Sequence, residues 1–186
     1  VDSKSNEITA IPLLLESLAL QDNTVSIDAA VCQKSITKFI KDKQGHYVLG
    51  LKRNYPKLYQ EVEDHIKEKG TTAVNRLYDA FEQGHGRLVR RRYFGFDATS
   101  LSQAQDWCGL ASVIAVETIS SKDNDPEHKV SSEWRYYLSS HHHTNKKLPD
   151  YIRNHWGIEN KLHWVLDVHM KEDNDQNAKV QEALLY

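Results

Sequence analysis

Apolar and polar positions change period along the chain, and the changes mark its elements. Residues 11–20, Ile-Pro-Leu-Leu-Leu-Glu-Ser-Leu-Ala-Leu, space apolar side chains as a short helix does. Pro12 falls in its first turn, where the missing N–H costs nothing. Residues 24–28, Thr-Val-Ser-Ile-Asp, form a compact β-branched run that predicts a buried strand ending on Asp28. A helical period follows over 31–43, with Val31, Ile36, Phe39 and Ile40 inward. His46 to Leu51 is a second strand, entered through the turn residue Gly45. Pro56 opens a helix that reaches Lys69, and Gly70 ends it. Strand, helix, strand, helix is a βαβ pattern, so strands 24–28 and 46–51 should be parallel.

The pattern changes near Arg76. From there to Ser140 the chain is rich in Val, Tyr, Arg, Ser and Thr. It predicts strands near 77–82, 87–96, 110–119 and 131–138, interrupted by a short helix near 100–107. Asp123-Asn124-Asp125-Pro126 is a turn or loop signal. Helical spacing returns after Asn145, with a late or kinked start at Pro149. The expected fold class is therefore α/β, a mixed sheet with an antiparallel, β-rich stretch before a final helix.

Composition adds bounds rather than identity. The 186 residues are 39% hydrophobic and 27% charged, an ordinary globular balance long enough for a sizeable core. A formal net charge of −2 does not announce a nucleic-acid binder; local clustering has to do that. Cys32 and Cys108 form no zinc-type pair, no apolar run approaches membrane length and no signal peptide opens the chain, so a cytoplasmic setting is expected. His141-His142-His143 reads as an exposed loop.

Chemistry concentrates at two carboxylates. Taken as a helix at about 100° per residue, Leu148, Ile152, Leu162 and Leu166 fall on one stripe, with Glu159 in its middle and His155 and His163 one turn to either side. A carboxylate on an inward face is costly unless it is paired, protonated or bound to a cation. Glu159 is thus either aimed into a site to hold a metal, or paired with Arg153 or Lys161, or outward on a helix oriented differently. Asp28, at the end of a buried strand, is either a site residue of an open α/β sheet or the N-cap of the helix at 31.

The stretch from Arg153 to Val168, Arg-Asn-His-Trp-Gly-Ile-Glu-Asn-Lys-Leu-His-Trp-Val-Leu-Asp-Val, resembles the glutamate helix of DDE transposases from bacterial insertion sequences. It is most similar to the subgroup that includes the H-repeat-associated proteins of Rhs elements. Lys4-Ser5-Asn6-Glu7, Ile27-Asp28-Ala29, Tyr47-Val48-Leu49 to Lys52, Gly84-His85-Gly86-Arg87 and Arg135-Tyr136-Tyr137 match in the same order. The resemblance implies a ribonuclease-H-like mixed sheet with an antiparallel β-rich insertion before the glutamate helix. The core is then expected over 1–75 and 143–186, with the insertion over 76–142. It implies DNA strand cleavage and transfer with Mg²⁺ or Mn²⁺, insertion-sequence ends and target DNA as partners, a homodimer in the transposition complex, no membrane, and a bacterial, nucleoid-associated setting. By residue match, Asp28 is the second Asp of the catalytic and metal-binding triad and Glu159 its Glu. The family's first Asp lies on a strand upstream of Lys4, before this chain starts. The expectation is a sheet without its opening strands and an isolated chain inactive in strand transfer.

Candidate DNA contacts are Lys52 and Arg53 at a strand end, Arg87, Arg90 and Arg92 in a basic run, and His155, Lys161 and His163 around the glutamate. On a strand, Arg90 and Arg92 share one face and Arg91 takes the other with Arg87. Such side chains supply phosphate affinity without reading sequence, and a charged edge strand that deters aggregation is the other reading. Two further functions stand beside the transposase reading. One is a catalytically inactive DNA-binding or assembly remnant of a transposable element. The other is a metalloenzyme using His155, Glu159 and His163, although this is not the His-Glu-x-x-His zinc pattern.

Overall fold

The computed structural model describes residues 11–70, 74–84, 87–122 and 130–158. Its core is one six-stranded mixed sheet in the order β1-β2-β6-β5-β4-β3. Residues 11–16 are helical (α1) and lead through a turn into β1, Thr24–Ile27. A 3-10 turn at Ala29–Val31 precedes α2, Lys34–Asp42, and β2 follows at His46–Leu51. Helix α3 spans Pro56–Lys69. Strands β3 (Asn75–Gly84), β4 (Arg87–Asp97), β5 (Ser112–Lys122) and β6 (Val130–Ser139) form an antiparallel meander, and α4 is Leu148–Ile158.

The parallel pair expected from the βαβ pattern is present, with Thr24 opposite His46 and Ile27 opposite Leu49. β2 then pairs antiparallel with β6, so the meander continues the same sheet. The short helix expected near 100–107 is absent; two 3-10 turns, Ala98–Ser100 and Ala104–Asp106, stand there. Leu101, Ala104 and Trp107 are three residues apart, which is the 3-10 repeat. The opening helix ends at 16 rather than 20, and the 31–43 helix begins only at Lys34.

Strand alternation divides the core into two layers. Tyr47, Leu49, Phe94, Phe96, Val113, Ala115, Tyr136 and Leu138 face one side, where α2 contributes Ile36 and Ile40 and α3 contributes Leu58, Val62 and Ile66. Val48, Tyr93, Ile114, Val116 and Tyr137 face the other, covered by Leu148 and Ile152 of α4. The punctuation read from the sequence holds: Pro56 is at the start of α3, and Gly70 closes it with φ +64°, a conformation costly for other residues.

At the starts of β1 and β2 a histidine pair ties the layers together. His141 stacks on His46 at 4.3 Å and on Tyr151 of α4 at 5.4 Å, and its Nε2 lies 2.9 Å from Thr24 Oγ1. Burial, then the nearby His46 and Lys41, pushes the His141 pKa down to about 4. His46 is lowered too, by burial and by Lys41, with Asp22 opposing. A depressed folded pKa means that the unfolded chain binds more protons, so stability is full above the ordinary histidine pKa and is lost as pH falls from about 6.5 toward 4. We expect the unfolding free energy from urea titration to drop between pH 7.5 and 5, by on the order of 1 kcal/mol because the ring is only half-buried. His141→Asn should flatten that dependence; an equally steep profile in the variant would assign it to other groups.

Candidate functional site

Asp28 directly follows β1, and Lys52 directly follows β2. Because the two strands are parallel, both side chains emerge at the carboxyl end of the sheet, where ligands of open α/β sheets gather. Asp28 occupies the N-cap position of the 3-10 turn at Ala29–Val31, yet its side chain makes no cap hydrogen bond. The carboxylate instead lies 3.6 Å from Lys52 Nζ, with the two side chains 56% and 68% exposed. Gly50 makes this placement possible. A Cβ there would meet the Ala29 backbone nitrogen at 2.9 Å, so the chain just past Asp28 can lie on β2 only if that position has no side chain.

β6 runs past the end of β2. Its last β2 partner is Leu51 opposite Tyr136, and residues 130–135 continue paired with β5. The step leaves a cavity of about 350 Å³, walled by Asp28 and Lys52, floored by Glu133, Arg135 and Tyr137, and roofed by Trp156 of α4. The Trp156 indole packs against the Tyr137 ring, with centroids 6.4 Å apart. Two guanidinium groups flank the indole, Arg135 at 5.0 Å and Arg91 at 5.4 Å from the ring centre. Burial pushes the Tyr137 pKa upward and outweighs the opposing effect of the nearby Arg135, so its phenol stays protonated at neutral pH.

The other sequence candidates are distributed as follows. His155 reaches β1, its Nδ1 3.3 Å from Ser26 Oγ, so α4 does bring this part of the chain to the strand that carries Asp28. Arg53 lies over the Tyr59 ring at 5.6 Å. Arg90 makes a two-point ion pair with Asp79 at 2.7 and 2.8 Å, which holds the Asp79 carboxyl below its usual range. Arg92 binds Glu117, which is only 7% exposed and also accepts from Ser132. Arg90 and Arg92 thus share a face, as the strand period predicted, but both are committed to partners on neighbouring strands. The Arg87 side chain, Glu159, Lys161 and His163 lie outside the described residues, as does the separation between Asp28 and Glu159.

Sequence reasoning did not assign Arg135, Tyr137, Trp156 or Arg91 to a site. The signal that was available is alternation: Arg135 and Tyr137 are two apart on one strand and so share a face. Nothing in the sequence says that Trp156 covers that face. Asp28 is a hard oxygen donor, the ligand type divalent cations such as Mg²⁺ take, and its carboxylate has a long contact to Lys52. Among the described residues no group of three or more metal-ligating side chains forms. None of their helices is long and apolar enough to cross a membrane.

A family model described as "Transposase DDE domain" matches residues 1–180. "Putative transposase YncI" of Escherichia coli O157:H7 is 40% identical over 92% of this chain and 45% of its own length. "Putative protein YbfL" and "H repeat-associated putative transposase YhhI" of Escherichia coli strain K12 are each 37% identical over 100% of this chain and 50% of their own length. The chain therefore spans about half the length of the curated relatives it matches. No solved structure matches it significantly.

Proposed function

Because the chain belongs to the family of transposases with a DDE domain, we propose that it is part of the catalytic domain for metal-dependent DNA strand cleavage and transfer. Asp28 and Glu159 are two carboxylates of the metal site in this reading, on a ribonuclease-H-like sheet whose β-rich insertion covers 76–142. The observation that carries it is the Asp28 carboxylate: it stands at the carboxyl end of a parallel strand, uncommitted to the turn it precedes, at the rim of a cavity.

Transposases of this family act with divalent metal ions. A bound Mg²⁺ or Mn²⁺ supplies charge neutralisation at a phosphate and acidifies water or a hydroxyl for attack. Asp28 would hold such an ion as an oxygen ligand. Lys52, 3.6 Å from the Asp28 carboxylate, adds positive charge where a phosphate would enter. The DNA contacts assigned to this reading are Lys52, Arg53, Arg87, His155, Lys161 and His163. Contact through Arg90 or Arg92 requires exchange of their ion pairs for phosphate. Insertion-sequence ends and target DNA as substrates, a homodimeric assembly and a nucleoid-associated setting belong to the same proposal.

Cation titration separates this function from its competitors. We expect Mn²⁺ to bind the chain in a calorimetric titration and the Asp28→Asn variant to lose that binding, with Zn²⁺ showing no preference for the histidines. Zn²⁺ held through His155 and His163 would favour the metalloenzyme. Mn²⁺ affinity that ignores Asp28 would leave the inactive remnant as the better reading.

A further inference from the structure

The floor of the Asp28 cavity has no role in the reading above. Arg135 sits on it, on the part of β6 that has passed the end of β2. Its guanidinium is supported by the Trp156 indole at 5.0 Å, and that indole packs in turn against the Tyr137 ring at 6.4 Å. Arg135 Nε donates to Glu133, two residues away, at 2.9 Å, and the side chains are 51% and 62% exposed. An exposed pair of this kind contributes about 0–1 kcal/mol, so breaking that one bond costs little. Arg92 differs, because leaving its partner would strand a buried carboxylate.

We propose that Arg135 is a phosphate-binding residue of the cavity. It exchanges its bond to Glu133 for a non-bridging oxygen of the DNA strand that lies against Asp28. The inference rests on the DNA-cleavage reading and adds to it a residue which that reading does not use. A planar guanidinium suits a phosphate because two N–H groups can meet two oxygens, and stacking on an indole pre-orients it. Glu133 is then one anion that competes with the phosphate for Arg135.

The test is equilibrium binding of a labelled duplex oligonucleotide to the chain across a range of salt. Arg135→Gln should weaken binding about 5–10-fold near 0.1 M salt and lower the log–log salt slope by about 0.9. Arg135→Lys should keep the slope, since the charge remains. Lys38→Gln, which removes an exposed charge on α2, should leave the slope unchanged. Glu133→Gln should tighten binding about 2–3-fold where Arg135 is present and leave it unchanged in the Arg135→Gln background. An unaltered slope in Arg135→Gln, or an equal gain from Glu133→Gln in both backgrounds, overturns the assignment while the DNA reading stands. A wild-type chain that binds no duplex overturns both.

Discussion

Asp28→Asn is expected to lower Mg²⁺- or Mn²⁺-supported DNA strand cleavage by at least about 10³-fold, roughly 4 kcal/mol of transition-state stabilisation. Asparagine keeps the shape of the side chain and one carbonyl oxygen but removes the charge that a hard cation needs. Folding should hardly notice. The contact that the described residues offer Asp28 is Lys52 at 3.6 Å between exposed side chains, and the carboxylate makes no cap bond. A change in unfolding free energy within about 0.5 kcal/mol is therefore expected. Cleavage is best measured on a protein of the relatives' length that carries this chain, with thermal unfolding measured alongside. Retention of more than a tenth of the rate would remove Asp28 from the catalytic group. A large fall in stability would mean that the residue serves the turn after all.

Arg92→Ala should act in the opposite way, through the fold. Arg92 lies on β4 and meets Glu117 on the adjacent β5, where Nε donates to the carboxylate at 2.6 Å and a second guanidinium nitrogen also binds it. Glu117 is buried beneath them, with Ser132 Oγ on its other oxygen at 3.2 Å. Removing the arginine leaves a buried, unpaired carboxylate, at a cost of about 3–5 kcal/mol. Replacing both partners at once, as Arg92→Met with Glu117→Leu, should recover most of that loss, because neither charge is then stranded. Arg90→Ala should cost less, since its partner Asp79 lies nearer solvent. Urea unfolding of the three variants decides the matter; a loss under about 1 kcal/mol in Arg92→Ala would show that Glu117 finds water or another donor. The result also guards the DNA experiments, since weaker DNA binding by Arg92→Ala would report unfolding before it reported a lost phosphate contact.

How far the sequence could be read depended on whether the deciding interaction was local. The β1–β2 pair and α3 were legible because their signals lie within a few residues: a β-branched run, an apolar run, Pro56 and Gly70. The 100–107 segment was misread because an i, i+3 apolar spacing serves a 3-10 turn as well as an α-helix. Asp28 stood out because it ends a β-branched run that reads as a buried strand, although β1 lies at the edge of the described sheet and only its Ile27 is buried. Arg90 and Arg92 looked like free cations because Asp79 and Glu117 are on other strands, and only the registers of β3, β4 and β5 bring them together. Arg135 beside Trp156 was out of reach for the same reason, joining a strand to a helix across a face that the sequence cannot assemble.

The step where β6 outruns β2 also has a kinetic meaning. The β3–β6 meander joins neighbours in sequence, so each hairpin closes a short loop. The ladder between β2 and β6 joins residues about ninety apart, Val48 with Ser139 and Leu51 with Tyr136. Loop-closure entropy makes such non-local pairing the slow event of a topology like this one. The cavity straddles that seam, with Asp28 and Lys52 on the early side and Arg135 and Tyr137 on the late side. Both sides are needed to line it, so a nascent chain that has not yet delivered β6 has no place for a phosphate to lie.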